Sequence, residues 1–216
     1  MKKFAVVLSG CGVFDGAEIH EATLCLLAIA RKGCSYEIFA PDIEQHHVIN
    51  HMTGEEMDET RNVLVESARI ARGNITDLNE FDPEKFDGLL FPGGFGAAKN
   101  LSTWAFESAG ASVLPEVAHA IKGMVSLKKP VGALCISPVL LAKVLGEVNL
   151  TIGDDEGTID ALESLGAKHV YTTHGEVVLD PDYLLVTTPC YMLDATIDQI
   201  DLGAKNIVDA MIKLMG

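Results

Sequence analysis

Short apolar runs alternate with longer amphipathic stretches from one end of the chain to the other. Lys3 to Ser9 (KFAVVLS) is a β-branched apolar run closed by Gly10 and Gly12, the pattern of a buried strand ending in a tight loop. Asp15 to Lys32 reads as a helix. Asp15 can cap it with Glu18 at the third helical position, Ile19, Leu24, Leu27 and Ala28 supply an apolar face, and Gly33 stops it. Tyr36 to Ala40 is a second strand, followed by a polar excursion over Asp42 to Glu56. A helix from about Glu59 to Arg72 then buries Val63, Leu64, Ala68 and Ile70 and ends at Gly73.

The alternation continues with a strand at Gly88 to Phe91, a helix at Pro115 to Leu127, and a strand at Val131 to Leu134 that runs almost directly into a helix at Pro138 to Leu145. Leu150 to Ile152, Val170 to Thr172, Val177 to Leu179 and Leu184 to Thr187 read as further strands. Thr158 to Leu165 and Thr196 to Met215 read as helices. Apolar strands separated by helices specify an α/β fold with a doubly wound, mostly parallel sheet covered by helices on both faces. Residues 1–216 are expected to form one domain, without repeats or linkers.

Composition narrows the function. With 48% hydrophobic and 22% charged residues the chain is neither disordered nor fibrous. Its 31 acidic against 16 basic residues give a net charge of −15, which disfavours nucleic acid and anionic membrane surfaces as partners. The five cysteines include no C-x-x-C pair, so structural zinc has no support and a reducing compartment is expected. The opening Met1-Lys2-Lys3 and the Leu8-Ser9-Gly10-Cys11 stretch mimic a lipoprotein signal, but the apolar run between them is too short for one, and a cytosolic protein is expected.

In doubly wound sheets, ligands sit beyond the carboxyl ends of the strands. Three such loops stand out: Gly10 to Gly16, Pro92 to Ala98, and Leu134 to Pro138. Cys135 lies between a buried strand and a helix start, flanked by small Ala133 and Ser137, as in a nucleophile elbow. A helix N-terminus there should favour the thiolate. Glu18 and Glu21 share one face of the first helix and offer carboxyls for proton transfer. The Pro92-Gly93-Gly94 turn presents bare backbone N–H groups suited to an oxyanion. Cys11 and Cys190, each in a strand-end loop, are candidate second thiols. Two rival patterns are weaker. Gly10-x-Gly12-x-x-x-Gly16 with Asp42 approximates a dinucleotide fingerprint but is one residue too long, and His47 and His51, four apart with Glu55 following, offer a possible metal face in which spacing fixes no third ligand.

Three separated motifs, GAEIHE at Gly16 to Glu21, PGG followed by GAAKNL at Pro92 to Leu101, and LCISP at Leu134 to Pro138, resemble the ThiJ/PfpI superfamily of the class I glutamine amidotransferase-like, flavodoxin-like fold. SGCGVFDGAEIHEA, HVINHMTGE, ETRNVLVE, PGGFGAAKNLS and VTTPCYM resemble more closely its ElbB branch, over nearly the whole chain. The resemblance implies a nucleophile at Cys135, a partner acid at Glu21, oxyanion-holding N–H groups at Gly94 and Ile136, and supporting roles for Glu18 and Gly93. It also implies a homodimer and a cofactor-free, metal-free glyoxalase that turns a small aldehyde, glyoxal or methylglyoxal, into glycolate or lactate. The His that follows the nucleophile in the superfamily's proteases is Ile136 here, which disfavours a Cys-His protease or amidase. His20, His51 and His174 have no matching role. The alternative is a stress-response redox sensor acting through oxidation of Cys135. The branch name points to isoprenoid metabolism, but no motif here recognises a prenyl diphosphate.

Overall fold

A computed structural model describes residues 1–216. Nine strands and eight helices follow one another as β1 (Lys3–Val7), α1 (Ile19–Arg31), β2 (Ser35–Ala40), α2 (Val63–Ala71), β3 (Thr76–Asp77), β4 (Gly88–Phe91), α3 (Phe95–Lys99), α4 (Trp104–Glu107), α5 (Pro115–Ser126), β5 (Val131–Leu134), α6 (Pro138–Leu145), β6 (Asn149–Leu150), α7 (Glu156–Ser164), β7 (Lys168–His169), β8 (Val178–Asp180), β9 (Leu185–Thr188) and α8 (Ile197–Leu214). Seven strands make one sheet in the order β3-β2-β1-β4-β5-β9-β8, parallel except for the β8 edge. β8 runs antiparallel because Pro181 to Leu184 is too short a connection to hold a crossover helix.

Successive strand residues point to opposite faces, so the sheet divides the interior into two cores. Ala5, Val7, Leu89, Phe91, Val131 and Ala133 pack beneath α5 and α6, while Phe4, Val6, Leu8, Leu90 and Leu134 pack beneath α1 and α8. β4, β5 and β9 are buried at every position, as their continuous apolar runs require. The doubly wound reading therefore holds.

Several expectations need correction. α1 begins at Ile19, with Glu18 itself as the N-cap, and Asp15 does not cap it. The Asp15 carboxylate is occupied in the loop, accepting from the Ile49 amide at 2.7 Å. The helix buries Glu21, Ala22, Cys25, Leu26, Ala28 and Ile29, leaving Ile19 and Leu27 exposed. α2 starts at Val63, where Asn62 supplies the cap, and its Leu64, Ala68 and Ile70 are only half-buried. The strand expected at Val170 to Thr172 lies earlier, as β7, which pairs with β6 in a separate two-stranded sheet. α3 and α4 were not expected. They are too short to carry a periodic signature; backbone bonds to the first loop fix α3, Phe95 N–H to Val13 O at 2.8 Å and Gly96 N–H to Gly16 O at 2.9 Å, and the Trp104 amide at the start of α4 donates to the Ser102 hydroxyl at 3.3 Å.

Candidate active site

β1, β4, β5 and β9 are neighbours in the sheet, and the loops leaving their carboxyl ends converge on Cys135. The β5 strand ends at Leu134, and Cys135 takes φ +57°, the left-handed conformation that costs a non-glycine residue about 1–2 kcal/mol. This strained turn is the elbow. The Cys135 amide is tied to Thr188 O at the end of β9 (3.0 Å), and the hydroxyl of fully buried Ser137 donates to Pro92 O (2.7 Å) at the end of β4. The two bonds fix the elbow to the strands on either side of it.

Glu21 reaches this point from α1 and is fully buried. Its Oε2 accepts from Gly93 N–H at 2.8 Å and its Oε1 from Tyr191 N–H at 3.3 Å, and its carboxyl stands beside the Cys135 thiol across Gly93. Glu18 positions it twice. The Glu18 carboxylate accepts from the Glu21 amide at 2.7 Å, and the Glu18 amide donates to Gly93 O at 2.8 Å. Gly93 is the spacer between acid and thiol: a methyl group there would lie 2.3 Å from Cys135 Cβ and 2.6 Å from Glu21 Oε2. Gly94, at φ +99°, has no more room, since a methyl group on it would lie 2.4 Å from both Gly16 O and Glu18 N. The glycines of the first loop serve packing, Gly10 and Gly16 against each other, Gly12 against His51 and Gly16 against Gly94, and Asp42 is engaged by Asn62 (2.7 Å), so the dinucleotide pattern has no separate site.

Burial dominates the electrostatics. Desolvation, then the charge of Glu18, pushes the Glu21 carboxyl up to about 8, with the Gly93 and Tyr191 amides opposing. Desolvation and the neighbouring Glu21 push the Cys135 thiol up as well, against the amides of Gly94 and Ile136, which face the sulfur. The expected depression of this thiol by its helix is therefore outweighed. Two acids in contact in a dry pocket titrate as a unit that resists carrying two negative charges, so near neutrality the pair keeps at least one proton.

A cavity of about 340 Å³ opens over Cys135, walled by Val13, Phe95, Ile136, Tyr191 and Met192, with Asp155 at its edge. Cys135, Glu21, Gly93, Gly94, Ile136 and Glu18 are thus brought together. Cys11 and Cys190 are not among the residues lining the cavity, and Cys190 packs against Gly203 of α8. His51 stacks on Phe14 and accepts from its amide, His47 packs on Phe106, and no group of three or more metal-ligating side chains forms. His174 lines a different hollow, between residues 170–178 and α8. His20 is nearer. Its Nδ1 lies 2.8 Å from the Tyr191 hydroxyl. Tyr191 is the residue that sequence reasoning missed: VTTPCYM carried the resemblance, but nothing local shows that the Tyr191 amide returns to Glu21.

No protein-family model matches the chain. A human protein named glutamine amidotransferase-like class 1 domain-containing protein 3, mitochondrial, is 45% identical over 99% of this chain and 84% of its own length. The crystal structure of an isoprenoid biosynthesis protein with amidotransferase-like domain from Ehrlichia chaffeensis superposes with a TM-score of 0.94 at 35% identity, covering 100% of both chains. Drosophila melanogaster DJ-1beta, at 18% identity and a TM-score of 0.55 over 99% of this chain and 97% of its own, shares the fold. The cytosolic expectation is overturned, because the human relative and its rat and zebrafish counterparts are all named as mitochondrial proteins. The chain belongs to the ES1 family of glutamine amidotransferase-like class 1 proteins, built on the fold of the ThiJ/PfpI and DJ-1 proteins.

Proposed function

We propose that the protein is a glutathione-independent, cofactor-free glyoxalase-type enzyme that converts 2-oxoaldehydes such as glyoxal and methylglyoxal to 2-hydroxy acids. The observation that carries this reading is the contact of a buried, proton-holding Glu21 with the Cys135 thiol beneath two backbone amides.

The residues support the following sequence. With one proton on the pair, the Cys135 sulfur bonds to the aldehyde carbon as its S–H bond breaks, and that proton passes by way of Glu21 to the carbonyl oxygen, giving a neutral hemithioacetal and leaving Glu21 a carboxylate. The Gly94 and Ile136 amides, which face the sulfur, are placed to stabilise negative charge developing on that oxygen. The carboxylate then removes the hydrogen of the former aldehyde carbon as a proton and returns it to the adjacent carbon, an internal redox step that leaves a thioester and a new hydroxyl. Water cleaves the thioester and restores the thiol, so the net change is addition of one water. No external oxidant or reductant is needed. A thiol only 6% exposed and held protonated is a poor target for peroxide, which weighs against the redox-sensor alternative.

Glutathione-free consumption of glyoxal and methylglyoxal, with the product acid identified, tests the reading. Turnover by the wild type and its loss in Cys135→Ser is the expected result. Absence of turnover in the wild type overturns it.

A further inference from the structure

The walls of the Cys135 cavity are unequal in character, and they hold more room than a two- or three-carbon dicarbonyl needs. Val13, Phe95, Ile136 and Met192 present apolar surface, and no Lys, Arg or His is among the lining residues. About 340 Å³ is roughly eleven times the volume a water molecule occupies in the liquid, and it falls within the range of sites that enclose drug-sized molecules. A second hollow of about 270 Å³ adjoins it, sharing Phe95, Ile136, Asp155 and Thr158 and adding Trp104 and Ala98. The apolar surface thus continues past Phe95.

Charge points the same way. Asp155 stands at the edge of both hollows, and its carboxylate is held ionised by the hydroxyl and amide of Thr158, the amide at 2.8 Å. Lys99 lies over the Phe95 ring at 5.4 Å, but its Nζ is engaged by Phe14 O at 3.0 Å and it lines neither hollow. His20 contacts the cavity wall only through the Tyr191 hydroxyl. A carboxylate or phosphate entering here meets an acid at the edge and no cation inside, under the field of a −15 chain.

Building on the function proposed above, we infer that this pocket selects neutral or cationic carbonyl compounds with a bulky apolar or aromatic substituent, and rejects 2-oxo acids and phosphorylated aldehydes. Phenylglyoxal is the model substrate, with its ring along Phe95 and Met192. The smallest dicarbonyls leave most of the apolar wall wet and gain nothing from it.

Two measurements test this separately from the reaction itself. Alkylation of Cys135, read by peptide mass mapping and normalised to the same reagents on 2-mercaptoethanol, should favour iodoacetamide over iodoacetate and N-phenylmaleimide over N-methylmaleimide, each by about tenfold. Asp155→Asn, which keeps a good helix cap, should shrink the iodoacetamide preference several-fold. In turnover, kcat/KM should rise about tenfold from methylglyoxal to phenylglyoxal and fall again for para-carboxyphenylglyoxal. Equal alkylation by neutral and anionic reagents, or turnover that favours glyoxal or glyoxylate, overturns the inference and leaves the glyoxalase reading standing. Selective alkylation without turnover of any aldehyde supports the pocket's selectivity and overturns the glyoxalase reading.

Discussion

The carboxyl of Glu21 and the thiol of Cys135 meet across a single α-carbon, that of Gly93, whose amide donates to the acid at 2.8 Å while its missing side chain leaves room for the sulfur. One residue thus sets both the position of the acid and its distance from the nucleophile. The reactivity of the site depends on this spacing, and four consequences can be measured.

Gly93→Ala should damage stability and turnover together. Its methyl group would stand 2.3 Å from Cys135 Cβ and 2.9 Å from Cys135 Sγ, so the elbow or the acid must move. Overpacking of this kind costs about 1–3 kcal/mol. Displacement of the reacting groups by about 1 Å costs about 100-fold in turnover. Thermal unfolding and aldehyde turnover, measured together, check both expectations.

Glu21→Gln should flatten the pH dependence of stability while abolishing activity. Between the ordinary carboxyl range and about 8, the folded chain keeps a proton on Glu21 that the unfolded chain has released, so stability falls as pH rises across that window. The slope is at most about 1.4 kcal/mol per pH unit for one group. Gln imitates the protonated acid and removes this slope. Denaturant titrations at pH 5.5 and 8 should show the variant gaining on the wild type at the higher pH, with turnover down about 10²–10⁴-fold.

Cys135→Gly should be more stable than Cys135→Ala, the reverse of the usual order. At φ +57° a glycine relieves strain that alanine retains, a difference of about 1 kcal/mol. The two melting temperatures suffice to test it.

Ser137→Ala should loosen the elbow. It strips the partner from Pro92 O, now satisfied at 2.7 Å in a fully buried position, at a cost of about 1–3 kcal/mol. A fall in kcat larger than the change in KM would identify Ser137 as a positioning residue, because the hydroxyl touches the turn that carries Gly93 and not the cavity.

Sequence and structure agree best where chemistry and backbone geometry coincide. Cys135 between a buried strand and Pro138, with small neighbours, and the Pro92-Gly93-Gly94 turn are local patterns, and the structure brings them together. Glu21 was separable from Glu18 only in part. Both lie on α1, but the loop ahead of the helix is held by Asp15 on the Ile49 amide, so the helix starts later and the cap falls to Glu18. Of the apolar face expected at Ile19, Leu24, Leu27 and Ala28, only Ala28 is buried, because α1 is rotated to carry Glu21 inward and packs Ala22, Cys25, Leu26 and Ile29 into the core beside it. Tyr191 and the short α3 owe their positions to tertiary bonds, which leave no periodic trace.

The two amides that hold Glu21 belong to Gly93 and Tyr191, separated from it by 72 and 170 positions along the chain. Contacts of such long range close only after the intervening segments have found one another. The acid is therefore buried late, when the loops following β4 and β9 are both seated, and that burial, against the pull of the two amides, raises its proton affinity. A partly folded chain carries an ordinary carboxylate and an ordinary thiol, and reactive chemistry is withheld until assembly is complete.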